Sequence, residues 1–162
     1  MIRKVNMTDC KAITDIYNGY VKNSTATFET EPVSEDEMRQ RISDIVSSYP
    51  YLVYEADGRI AGYCYAHAWK ERAAYGRTLE TTVYLSEEYK GKGIGRKLMA
   101  ELIEECRRQD YHVLIACITS ENEESRAFHQ KLGFKQVSLF EKVGVKFDRR
   151  LDVTDYELLL KL

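Results

Sequence analysis

What this chain lacks narrows its function first. No apolar run approaches the roughly 20 residues that a bilayer crossing needs, so no membrane partner is expected. The four cysteines, Cys10, Cys64, Cys106 and Cys117, include no C-x-x-C pair and no zinc spacing, so no metal site is expected either. Cys10, Cys106 and Cys117 fall in apolar-periodic segments and read as small core residues. Four free thiols and an opening, MIRKVNMTD, that runs straight into strand-like sequence lead us to expect a cytoplasmic protein. Net charge is −2, with no surplus of basic side chains to hold a nucleic acid. There is no internal repeat, linker or low-complexity stretch, so the 162 residues read as one globular domain with enough chain to bury a core.

What is present concentrates in residues 78–98, TLETTVYLSEEYKGKGIGRKL. An alternating strand, Thr78–Leu85, leads into Lys90-Gly91-Lys92-Gly93-Ile94-Gly95-Arg96 and then a helix. Glycines at every second position strip side chains from a turn before a helix N-terminus, where backbone N–H groups can close on a phosphate. Lys90, Lys92, Arg96 and Lys97 add a local basic patch suited to an anionic cofactor. A glycine-rich turn can also serve close packing alone. The loop is not a P-loop, because Arg96 stands where the next glycine is needed and Leu98 follows Lys97. It is not a dinucleotide fingerprint either, which fails at Arg96 from Gly91 and at Leu98 from Gly93. On the strand, period-2 alternation puts Glu80 on one face with Thr78, Thr82 and Tyr84. An acid beside a pyrophosphate cradle points to group transfer.

The remaining elements follow from periodicity. Residues 2–5 read as a strand, and Thr8 as the cap of a helix with Ile13, Ile16, Tyr17, Tyr20 and Val21 inward. Ser34-x-x-Glu37 is a capping box opening a helix with Met38, Ile42, Ile45 and Val46 inward, stopped by Pro50. Asp57-Gly58 between Tyr51–Ala56 and Arg59–Ala68 signals a hairpin. The helix after the glycine loop buries Ile94, Leu98, Met99, Leu102, Ile103 and Cys106. His112–Ile118 reads as a strand, Asn122 as the start of a short helix ending at Gly133, and Phe134–Lys142 and Thr154–Leu162 as final strands. The order β-α-α-β-β-β-α-β-α-β-β predicts an α/β (α+β) fold, a mixed, mostly antiparallel sheet flanked by helices.

Lys90-Gly91-Lys92-Gly93-Ile94-Gly95 resembles the acetyl-CoA loop of the GNAT acetyltransferases, [QR]-x-x-G-x-[GA], with Lys90 in place of Gln or Arg. Arg77–Leu85, Asn122-x-x-Ser125-x-x-x-His129-x-x-x-Gly133-Phe134 and Val143-Gly144-Val145-Lys146 look like the phosphinothricin/methionine-sulfone branch of that family. Thr27-Phe28-Glu29 and Leu151-Asp152-Val153 point the same way. Thr81, Asp148 and Arg150 depart from the branch pattern. The resemblance implies a single GNAT domain over 1–162 that uses acetyl-CoA to acetylate the α-amine of a small amino-acid-like substrate. It also implies a homodimer, an expectation shared by the apolar C-terminal run Tyr156–Leu160, which could equally be buried within one subunit.

Attack of an amine on a thioester needs a base, a polarised carbonyl and a protonated leaving thiol. Glu80 is the candidate base, acting through a water; the plainer reading is an exposed strand carboxylate. By resemblance, backbone groups of Val83, Tyr84 and Leu85 pair with the pantetheine arm, the Val83 N–H polarises the thioester oxygen, and Lys90–Arg96 hold the pyrophosphate. Asn122 and Ser125 contact the far side of the pantetheine or the adenosine phosphates. His129 stands where most of the family has a tyrosine that protonates the thiolate; it could instead be a solvent-facing helix histidine. For the acceptor, the resemblance puts Arg72 on a carboxylate, Tyr75 and Phe28 on the pocket wall and Glu29 on the amine or loop. Arg72 and Arg77 could equally be idle surface charge. His67 and His112 read as structural. Rival acceptors are a polyamine, an aminoglycoside or a protein N-terminus; the rival class is a non-catalytic acyl-CoA-binding sensor.

Overall fold

The computed structural model describes residues 1–162. The fold is mixed α/β, with eight strands, mostly antiparallel, and four helices. Strand β1 (Ile2–Lys4) is followed by a 3-10 turn, Met7–Asp9, that leads into α1 (Cys10–Asn23). Asn6, not Thr8, caps this start. Its side chain accepts the Thr8 N–H, while the Asp9 carboxylate accepts the Asn6 N–H at 2.9 Å. Asp9 is buried and held by a two-pronged bond from Arg3 at 2.8 Å. Burial alone would raise its carboxyl pKa, but Arg3 and the Asn6 N–H hold it below the ordinary value.

Two compact units share the chain. The first comprises residues 1–18, 33–67 and 81–110. Here α2 (Glu35–Val46) starts at Ser34, whose hydroxyl accepts the Glu37 N–H at 3.1 Å. Met38 and Ile42 are buried as expected, but Val46, at the last helical position where the apolar stripe runs out, is 42% exposed. β2 (Tyr51–Ala56) and β3 (Arg59–Ala68) meet at Asp57-Gly58, both left-handed at φ 53° and 72°. That is the geometry a two-residue type I′ hairpin requires. β1 pairs antiparallel with β2, and β3 neighbours the later part of β4 (Thr78–Leu85). α3 (Ile94–Arg108) lies against β2 with all six expected apolar residues buried. Tyr51, Tyr63 and Tyr65 stack among the strands, 4.8 Å separating the closest ring centroids.

The second unit comprises residues 19–32, 68–80 and 111–162. The start of β4 pairs in parallel with β5 (Val113–Thr119), Thr78 opposite Val113 and Glu80 opposite Ile115. α4 (Glu123–Lys131) follows, ended by Gly133 at φ 100°. Three strands then follow where two were expected: β6 (Lys135–Gln136), β7 (Phe140–Lys146) and β8 (Arg149–Leu159). β8 pairs with β5 on one side and with β6 and β7 on the other, so the run Tyr156–Leu160 lies within the sheet, with Tyr156 fully buried.

The β7–β8 turn escapes sequence reading because a bulky Phe147 takes its first position and no glycine takes its second. Phe147 and Asp148 sit at φ 53° and 58°, the left-handed pair that Asn-Gly normally fills. A bulky residue in that region costs about 1–2 kcal/mol. Phe147 is half exposed, and the contact its replacement loses is the Lys146 ammonium 5.2 Å from its ring. Changing Phe147→Asn together with Asp148→Gly is expected to raise Tm by about 2–4 °C, from roughly 1 kcal/mol of relieved strain. A thermal melt showing no rise would remove strain from this turn.

Candidate active site

The glycine loop lies in the first unit. Gly91 and Gly93 adopt φ 77° and 79°, and a Cβ at either would meet nothing within 4 Å. Backbone conformation, not crowding, therefore demands glycine at both positions. Gly93 is the N-cap of α3 and, having no side chain, offers its first turn no capping bond, while Ile94 and Gly95 are buried in the helix start. The exposed Lys92, Arg96 and Lys97 surround this N-terminus, and Lys90 pairs with Glu87 at 2.9 Å. Turned-out N–H groups, the positive end of a 15-residue helix and local cations together fit a pyrophosphate. Upstream, the Tyr84 ring packs against Tyr17 (5.6 Å, edge-on) and Tyr63 (5.8 Å). Gly62 matters here and went unnoticed in the sequence. A Cβ on it would stand 2.9 Å from the Tyr84 carbonyl, so only glycine lets β3 approach β4 this closely.

The remaining candidates lie in the second unit. Glu80 is half-buried on β4. Its charge reaches Cys117, whose thiol is pushed up to about 12, first by desolvation of the sulfur and then by Asp155 and Glu80. Cys117 is exposed, contrary to its expected place in the core, because it takes the outward position of an otherwise buried strand. Along α4, the Asn122 side chain caps the helix by accepting the Ser125 N–H at 3.1 Å. His129 is buried at 5% exposure, between the edge-on rings of Phe128 and Phe134, each 5.2 Å away. Its Nδ1 lies 2.8 Å from the Ser125 carbonyl. A carbonyl only accepts, so Nδ1 carries the hydrogen and Nε2 keeps its lone pair. Burial lowers the imidazole pKa, partly offset by the bond to Ser125.

Two loops carry the candidate acceptor residues. In 69–77, Arg72 precedes a 3-10 turn, Ala73–Tyr75, and both Arg72 and Tyr75 are exposed. Tyr75 meets Trp69 edge-on at 5.3 Å, and the Lys70 ammonium stands 4.5 Å from the Trp69 ring and 5.5 Å from that of Tyr75. Trp69 and Lys70 were missed; the chain's only tryptophan, six residues before Tyr75, was the available signal. In the loop after α1, Phe28 is 38% exposed and lies over Gly144, and Glu29 is near enough to Lys146 to act on its charge. His67 is half-buried within β3, and His112 is half-buried just before β5 rather than inside it.

Comparison with known proteins identifies the class of protein. Residues 2–154 match the acetyltransferase (GNAT) domain, and the chain belongs to that family. It is an N-acetyltransferase that takes its acetyl group from acetyl-CoA. It is 39% identical to an L-methionine sulfoximine/L-methionine sulfone acetyltransferase of Salmonella typhimurium, over 98% of this chain and 94% of that one. It is 40% identical to a phosphinothricin N-acetyltransferase of Alcaligenes faecalis, over 93% and 78% of the two. Among solved structures, a GNAT phosphinothricin acetyltransferase from Sinorhizobium meliloti, in complex with acetyl-CoA, superposes with a TM-score of 0.95 at 38% identity, covering 98% of this chain and 87% of that one.

Proposed function

We propose that the chain, as one domain over 1–162, acetylates the α-amine of a small amino-acid substrate of the phosphinothricin, methionine sulfoximine or methionine sulfone kind. The observation that carries this reading is near full-length similarity to enzymes of those activities. Lys70, Arg72 and Arg77, within eight residues of one another, favour an anionic acceptor over a polyamine or aminoglycoside. Acetyl-CoA supplies an activated acetyl group and a thiolate leaving group. The N–H groups of Lys90–Arg96, the backbones of Val83, Tyr84 and Leu85, and Asn122 and Ser125 would hold it. Glu80 takes the proton that keeps the acceptor an ammonium. The Val83 N–H is a donor for the developing oxyanion. His129 takes the second amine proton at Nε2 and gives it up to the departing sulfur. Arg72 holds the acceptor's acidic group, with Tyr75 and Phe28 as walls and Glu29 towards the amine.

No helix is long and apolar enough to cross a membrane. Four free cysteines, three of them buried, support a cytoplasmic setting. The proposal includes a homodimer. Its support is the exposed apolar set Val137, Leu139, Phe140, Val143, Val145 and Phe147 around β7, rather than the C-terminal run inside the sheet. Sedimentation at micromolar concentration should show twice the 18.8 kDa chain mass; a monomer there would remove this part.

The deciding assay is release of CoA thiol from acetyl-CoA with methionine sulfone, phosphinothricin, ordinary amino acids, spermidine and a peptide. Preference for the sulfone or phosphinate is expected. Turnover with spermidine or peptide alone would keep the chemistry and discard the acceptor.

A further inference from the structure

The segment Val143-Gly144-Val145-Lys146 has no part in the chemistry above, yet Lys146 is 3% exposed, a rare place for a lysine. Its ammonium is spent on the loop after α1, donating to the Ser24 carbonyl at 2.7 Å and the Thr27 carbonyl at 2.8 Å. The same loop is tied twice more. The Thr119 hydroxyl donates to the Thr25 carbonyl at 2.5 Å, and the Thr25 hydroxyl donates at 2.7 Å to Glu121, which Arg149 grips with both guanidinium nitrogens at 2.9 Å. Two residues before Lys146, Gly144 is buried directly beneath the Phe28 ring, where any Cβ would collide with three ring carbons.

From this arrangement we infer that Lys146 and Gly144 are positioning residues for the acceptor. Lys146 fixes the backbone of 24–27, and Gly144 seats Phe28, so that Phe28 and Glu29 are presented in one conformation. The inference rests on the reading that Phe28 and Glu29 serve the acceptor. The loop's bonds from Ala26 N–H to the Ser24 hydroxyl at 2.9 Å and from Glu29 N–H to the Thr27 hydroxyl at 3.3 Å span only two residues each, whereas Lys146 ties it to a distant strand. The cost of burying an ammonium is offset by the two carbonyls to which it donates, which couples the cation to the loop conformation.

The test compares wild type, Lys146→Met and Gly144→Ala, with methionine sulfone and acetyl-CoA varied in turn. Amide hydrogen exchange is followed at residues 24–29. Both variants should raise KM for methionine sulfone by about tenfold, the scale of one charge-assisted hydrogen bond. KM for acetyl-CoA should stay within about twofold, inside the factor-of-two scatter of such contacts. Exchange over 24–29 should quicken in Lys146→Met. An unchanged acceptor KM in an active protein would overturn the inference while leaving the proposed function standing. So would an acetyl-CoA KM rising in step, which is general damage. Should wild type acetylate none of the acceptors, the proposed function fails, and unchanged exchange at 24–29 in Lys146→Met would overturn the clamp separately. If Lys146→Met does not fold, Gly144→Ala decides, since its displaced ring is partly exposed and has room to move.

Discussion

Replacing Glu80 with glutamine is expected to lower turnover by about 10²–10⁴-fold, the usual contribution of a positioned general base. The amide keeps the size and half-buried position of the side chain and removes only its basicity. An α-amine with a pKa of about 8 is mostly ammonium at neutral pH. In the variant only the spontaneously deprotonated fraction reacts, so its rate should climb with pH until the amine itself has titrated, moving the optimum upward. Cys117, within reach of Glu80's charge, offers no bypass. A thiol pushed up to about 12 by desolvation and by Asp155 and Glu80 is held away from the thiolate that a covalent acetyl-cysteine route would need. Cys117→Ser should therefore keep activity while Glu80→Gln loses it. The check is a pair of pH–rate profiles with acetyl-CoA affinity measured alongside. Wild-type turnover with an unshifted profile in Glu80→Gln would end the base assignment.

The parts of this fold that were legible in the sequence are those where local chemistry and tertiary demand coincide. Asp57-Gly58 names its own turn, and the strands on either side begin and end where expected. The α3 stripe is apolar at every buried position because one face meets the sheet for the helix's whole length. Where the two levels disagree, the sequence misleads. Phe147-Asp148 turns the chain with a phenylalanine in a left-handed position, because the long pairing of β7 with β8 imposes it. The cap at Asn6 was misplaced because two polar residues, Asn6 and Thr8, compete for it, and only Asp9 closing back on the Asn6 N–H decides between them.

The site divides in the same way. The glycine loop could be read because its need is conformational and local: a left-handed residue before a helix calls for glycine whatever surrounds it. Lys146 could not, because a lysine in an alternating strand looks solvated. Its burial depends on carbonyls about 120 residues earlier in the chain. Gly62 and Gly144 were invisible for a related reason, since what forbids a side chain there is a backbone or a ring from another segment. His129 lies between these cases. Its position in the chain suggested a role, but its protonation state follows from burial and from one carbonyl, neither of which can be read from residue spacing.

That state leads to the second large effect. His129→Phe keeps an aromatic ring between Phe128 and Phe134 and removes both nitrogens, so folding should survive while kcat falls about 10²-fold, at the low end for loss of a proton-transfer group. A solvent-facing histidine would switch charge near pH 6.5. Here burial lowers that value, so the imidazole is neutral at physiological pH, with Nδ1–H held by Ser125 and the Nε2 lone pair ready to receive a proton. Under the proposed mechanism it does not begin the cycle as an acid and becomes one only after taking a proton from the amine. The wild-type kcat should accordingly hold level through pH 6.5, with its histidine-dependent limb below that and missing in His129→Phe. The sign for stability is the same. With the folded pKa below the unfolded value, the neutral imidazole stabilises the protein above pH 6.5, and that contribution is lost as pH falls from there through the folded pKa. A histidine-dependent limb at or above 6.5, or an imidazole resonance titrating there in a folded sample, would show His129 charged at rest and return it to the role of a ready-made acid.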